Sequence, residues 1–127
     1  MEIDSYDPLT APDAEQWLAL DETERIQLAL DFHARARVEL PNAEAHAVLH
    51  AVVENQIALG DATPVRGKLR QLMAQGLDRH DAVHAIASVL VHYLSRLTRD
   101  PEAAGDVNAG YYSALKRLNA RKWRQSG

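Results

Sequence analysis

Residues 42–60 read NAEAHAVLHAVVENQIALG. Asn42 is a strong helix-capping residue, and Gly60 is the residue type that most readily ends a helix in a left-handed turn. Between them apolar residues recur at three- and four-residue intervals, the period of an α-helix, with no sustained two-residue alternation. The stretch predicts a helix over 43–59. Its apolar stripe is Ala45, Val48, Leu49, Val52 and Val53, and His46, His50 and Glu54 step down one flank.

Working outward, the same punctuation recurs. Asp21 with Glu24 is a capping box that opens a helix stopped by Pro41. Its stripe is Ile26, Ala29, Leu30 and Ala36, and His33 falls inside that stripe as a packed histidine. Thr10, three residues before Asp13, caps a short helix over 12–19. Thr63-Pro64 starts a helix that Gly76 closes, and Asp78 with Asp81 starts another reaching residue 97. That helix carries Val83, Ile86, Val89, Leu90, Tyr93 and Leu97 on its main stripe, with His80, His84, Ala87 and Val91 on a second flank. An element apolar on most sides is central, so His84 is expected to be substantially buried, whereas His92 reads as a surface residue. TRDPEAAGDVNAG, residues 98–110, reads as a linker before a last helix over 111–123. The expected fold is all-α: a single-domain antiparallel helical bundle of five to six helices. Residues 1–97 form the bundle behind a polar lead-in, and 111–127 form a basic C-terminal helix packed on the same domain or on a partner.

The 127 residues are 46% apolar and 25% charged, enough for one domain with its own core. There is no cysteine, which removes disulfides, thiolate metal sites and thiol catalysis. No apolar run reaches the length of a membrane span, and the acidic start lacks the basic and apolar regions of a signal peptide. A cytoplasmic location without membrane contact is expected. The 14 basic and 18 acidic residues are unevenly placed. Residues 1–106 carry a net −9, while Lys116, Arg117, Arg121, Lys122 and Arg124 follow with no acid among them. These five are a candidate binding segment. The acidic body repels a phosphate backbone, so a second copy or another protein, docking on the C-terminal helix, is expected before a nucleic acid. No phosphate-binding glycine loop and no nucleophile elbow is present, so no catalytic constellation is read. Trp17 and Trp123 read as packing anchors.

One arrangement carries chemistry. HAVLH at 46–50 and HDAVH at 80–84 are two HxxxH segments on two helices. The i, i+4 spacing puts two imidazoles within reach of one cation. His46, His50, His80 and His84 are therefore candidate metal ligands, with Glu54 a fifth ligand or an acceptor behind them. Such a set suits zinc, iron, nickel or manganese rather than magnesium or calcium; zinc or iron is the expected cofactor. Asp81 stands where a zinc protease needs its glutamate base, which argues against that activity. The alternative is a non-catalytic interaction module whose histidines are structural.

Two resemblances bear on this. His46, His50, the run Glu54-Asn55-Gln56, the run RHDAVH from Arg79 to His84, and the opening YDPLTAPDAEQWLALDETERI resemble an uncharacterised bacterial family of small all-helical proteins, a domain of unknown function. The likeness covers most of residues 5–97. It implies a helical bundle, gives weight to the four histidines and supplies no activity. The order His33, then His50 with Glu54, then His80 with His84 is similar to the hemerythrin-like di-iron bundle. The chain departs from that pattern by an extra helix at 63–75 and by a last helix without histidine or carboxylate.

Overall fold

Helix starts in this chain are set by side chains that accept from the first free amides. In the computed structural model, which describes residue 3 and residues 5–35, 42–99 and 107–126, Asp13 Oδ1 accepts from Gln16 N at 2.9 Å and opens α1, Ala14–Ala19. Asp13, rather than Thr10, is the cap. Asp21 and Glu24 bond reciprocally, Glu24 N to Asp21 Oδ1 at 2.8 Å and Asp21 N to Glu24 Oε1 at 3.4 Å, and open α2, Glu22–Arg35. Asn42 caps α3, Ala43–Ala58, through Ala45 N at 3.1 Å. Gly60, at φ +64°, turns the chain out of α3 into a 3-10 turn, Gly60–Ala62, ahead of α4, Val65–Ala74. Gly76, at φ +104°, makes the next reversal, and Asp78 Oδ1 receives Asp81 N at 2.7 Å as α5, Arg79–Arg99, begins. Both glycines occupy backbone conformations that side-chain-bearing residues avoid.

The C-terminal part differs from expectation. Where one helix over 111–123 was predicted, there are two: α6, Val107–Arg117, and α7, Ala120–Ser126. Asn119 breaks the run, because its Oδ1 accepts Lys122 N at 2.8 Å and so caps a new helix. Lys68 Nζ donates to the freed carbonyl of Leu118 at 2.9 Å, and Gln75 Oε1 accepts Ala120 N at 2.8 Å. The break is thus held from α4 and its C-terminal end. The linker is also shorter than 98–110, since α5 runs through Arg99 and α6 starts at Val107. Residues 100–106, like the expected end of α2 near residue 39 and its stop at Pro41, lie outside the described residues. The chain is all-helical, with seven α-helices among the described residues rather than five to six.

Helix α3 packs against α1, α2, α4 and α5, and α5 also packs on α4 and α6. Two apolar clusters result. One joins Val53 to α4, α5, α6 and α7 through Val65, Leu72, Ile86, Tyr111, Leu115 and Ala120. The other joins Tyr6, Trp17 and Ala29 to Ala47 and Ala51 of α3. The C-terminal helices therefore bury their apolar face in this chain's own core. Gly110 marks the tightest approach of α6 to α5: a Cβ there would lie 2.8 Å from the Tyr93 ring.

The apolar stripe predicted for α3 is not its deepest face. Ala45 is exposed, and Val48, Leu49 and Val52 are half-buried. The deepest residues are Ala47, His50, Ala51, Val53 and Glu54. Two of the five are polar, and what they bond to defines the site.

Candidate metal centre

Helices α3 and α5 bring three of the four candidate histidines together. His84 Nε2 lies 3.1 Å from His46 Nε2 and 3.0 Å from His50 Nε2. Among the described residues, His46, His50 and His84 form a group whose ligand atoms lie within 4.8 Å of one another. His50 is buried, and His46 and His84 are half-buried. Each imidazole nitrogen has one in-plane site, holding either a proton or a lone pair. His84 Nε2 cannot direct that single site well at two neighbours at once. One cation at the common focus can serve all three rings.

His80, one turn before His84, stands outside this group. Its ring packs 4.2 Å from that of His84 and 5.3 Å from that of His50, with Phe32 edge-on at 5.6 Å. Glu54 also stands outside it, because both its oxygens are engaged. Arg79 donates from Nη1 to Oε2 at 2.8 Å and from Nη2 to Oε1 at 2.7 Å, a bidentate pair with side chains only 4% and 1% exposed. Burial opposes the charge on Arg79. The hydrogen bonds and charge of Glu54 outweigh it and hold the guanidinium ionisation above its ordinary value.

Sequence spacing did not reveal the residue that links Glu54 to the imidazoles. Tyr6, on the non-helical segment before α1, donates its hydroxyl proton to Glu54 Oε2 at 2.5 Å. Its oxygen lies 3.1 Å from His50 Nδ1. Burial, and then the neighbouring charge of Glu54, push the phenol's ionisation far above its usual value, so Tyr6 keeps its proton and spends it on the carboxylate. The oxygen is then the acceptor for His50. Nδ1 of His50 then carries the hydrogen, and in the neutral ring the lone pair is on Nε2, facing His84. Arg79, Glu54, Tyr6 and His50 thus form one chain of hydrogen bonds from the start of α5 to the imidazole cluster.

The neighbours of Glu54 extend this junction. Asn55 Oδ1 accepts Trp17 Nε1 at 2.9 Å and Arg25 Nη1 at 3.1 Å, and Gln56 Oε1 accepts the Tyr111 hydroxyl at 2.7 Å. The Glu-Asn-Gln run therefore reaches the N-terminal segment, α1, α2, α5 and α6. Three consecutive polar residues between Ala51-Val52-Val53 and Ile57-Ala58-Leu59 were the available signal that α3 is central.

His33 lies in α2, with its side chain outside the described residues, and His92 is exposed. Lys116, Arg117, Arg121, Lys122 and Arg124 are all exposed on α6 and α7. Tyr111 and Leu115, also on α6, are buried in the core. Trp17 is 1% exposed and Trp123 half-buried against the larger cluster. No helix among the described residues is long and apolar enough to cross a membrane.

Compared with family models, curated proteins and solved structures, the chain matches none. The chemistry of the centre is therefore read from its own side chains.

Proposed function

We propose that this protein binds a divalent transition-metal ion through the Nε2 atoms of His46, His50 and His84. The observation that carries this reading is the convergence of three imidazole nitrogens from two helices, at 3.0 and 3.1 Å. Two nitrogens 3.0 Å apart, each about 2.1 Å from one ion, subtend about 90° there. That is the angle between neighbouring positions of an octahedron and suits iron(II), nickel or manganese; tetrahedral zinc asks the rings to part by about 0.4 Å. An all-imidazole set leaves positions for water or an outside donor, the arrangement of centres that polarise a bound molecule. Glu54 acts behind the ligands, and a single ion is the reading, because Glu54 has no oxygen to spare as the bridging carboxylate of a di-iron pair. The segments that resemble the uncharacterised bacterial helical family are the same ones that build this centre, and we read them as the metal-binding part of a helical bundle. The chain is taken to act as a metal-binding protein in the cytoplasm, and no reaction is assigned.

The test is metal content by plasma mass spectrometry on untagged protein purified without chelator, followed by zinc and iron(II) titration. About one equivalent is expected, lost in the His50→Ala, His84→Ala double variant. Folded wild-type protein that retains no metal and binds neither added ion overturns the reading. The histidines would then be structural, as in an interaction module.

A further inference from the structure

The residues before α1 lie across the buried polar chain as a strap. Tyr6 is 2% exposed, with its ring tilted 5.6 Å from Trp17 and edge-on to Phe32 at 6.2 Å and His50 at 5.9 Å. Two residues on, the carbonyl of Pro8 accepts Arg79 Nη1 at 2.9 Å. The strap is therefore fastened at two points, and both fastenings belong to the network that ends on His50 Nδ1. A phenol whose only duty was to satisfy a buried carboxylate need not also lie within hydrogen-bond reach of a ring nitrogen. This one does, on the nitrogen opposite to that which faces the cluster.

We propose that Tyr6 is a positioning residue for the metal centre: its hydroxyl holds His50 in the tautomer that presents Nε2 to His46 and His84, and so couples docking of the N-terminal strap to metal uptake. This rests on the metal-binding reading above and adds the residue that orients its most buried ligand. The physical ground is general. An imidazole binds a metal through a nitrogen that carries no proton, and a partner on its other nitrogen selects that state and fixes the ring plane. Without the phenol oxygen His50 can place its hydrogen on Nε2, and each such molecule must first move that proton to bind. Coupling of this kind is reciprocal: whatever factor the docked strap contributes to metal affinity, the metal returns to strap docking.

Two measurements on the full chain test it, with zinc as the probe. The first compares wild type with Tyr6→Phe, which keeps the ring and removes the oxygen; circular dichroism verifies that the variant is folded. In metal-free protein, nitrogen NMR of the imidazoles should report His50 as the Nδ1–H form in wild type and a shift toward Nε2–H in the variant. Zinc affinity, measured by competition with a chromophoric chelator, should fall about 10–100-fold. The second needs no variant: amide exchange of Tyr6, Asp7, Leu9 and Thr10 in wild type should slow at least tenfold when zinc is added. A folded Tyr6→Phe protein with wild-type tautomer, or with zinc affinity within twofold of wild type, overturns the inference while leaving the metal site standing. So does strap exchange unchanged by zinc, which decides the matter even if the variant does not fold. Wild-type protein that takes up no zinc or iron fails at the earlier step, and the metal-binding reading falls before any comparison of variants.

Discussion

The HAVLH segment of α3 and the HDAVH segment of α5 share one spacing and deliver different things. On α3 both imidazoles reach the common focus. On α5 only His84 does, and His80 packs its ring beside Phe32 and the other histidines. Spacing of four fixes that two side chains share a face of their helix. It does not fix how far along that face the neighbouring helix crosses. The reason lies in what adjoins each pair. His50 is followed one turn later by Glu54, so the buried face of α3 continues from imidazole to carboxylate. His80 is preceded by Arg79, which that same carboxylate holds through two bonds. The ion pair pins the start of α5 beside Glu54, one turn beyond the imidazoles, and this register leaves His84 opposite His46 and His50.

The comparison can be broken at its pivot. Arg79→Leu removes the partner of a carboxylate that is 1% exposed, and breaking such a buried pair costs about 3–5 kcal/mol. Urea unfolding should show a loss of that size, the largest effect of any substitution named here, with zinc uptake falling alongside it. Next in size, His84→Ala takes away the single nitrogen that α5 supplies. Zinc affinity should drop by more than about 100-fold, beyond what loss of an orienting partner costs, with the fold retained by circular dichroism. Acid acts on the same atoms from outside. Protons and metal compete for the imidazole lone pairs, so occupancy at fixed zinc should decline as the pH is lowered and recover on return. Smallest is His80→Ala. If the two segments differ as described, its zinc affinity should stay nearest to wild type of all the histidine variants at 46, 50, 80 and 84. A drop equal to that of His84→Ala would restore the symmetry of the two motifs and make His80 a ligand.

Much of the fold was legible because helix ends are local events. Asp21 with Glu24, Asn42, Asp78, Gly60 and Gly76 each act within a few residues of themselves, and each stands where its type suggested. Asn119 was equally local but sat inside a run of helix-compatible residues, and its stop depends on Lys68 and Gln75 from α4 and its C-terminal end. The candidate ligands were legible for the same local reason, as i, i+4 pairs. What lay behind them was not. Arg79 is 25 residues from Glu54 and Tyr6 is 48 residues from it. Ranking α3 by apolarity therefore put Ala45 and Val48 inside and left the Glu54 face on a flank. The true interior face can hold His50 and Glu54 because Tyr6 and Arg79 match them, and matching across the fold leaves no trace in periodicity.

The neighbourhood of Trp17 has an optical consequence. Its indole is buried, bonded to Asn55, and tilted against the tyrosine that touches His50. Trp123 belongs to the other apolar cluster and lines a groove with Ser88 and Val89, one turn past His84 on α5. The protein thus carries a built-in fluorophore separated from the imidazole cluster by one tyrosine ring. An open-shell ion such as iron(II) or nickel at the centre would quench the emission of Trp17. A closed-shell zinc ion would leave it bright. The electronic configuration of the bound ion would then be readable from the intensity of the protein's own light.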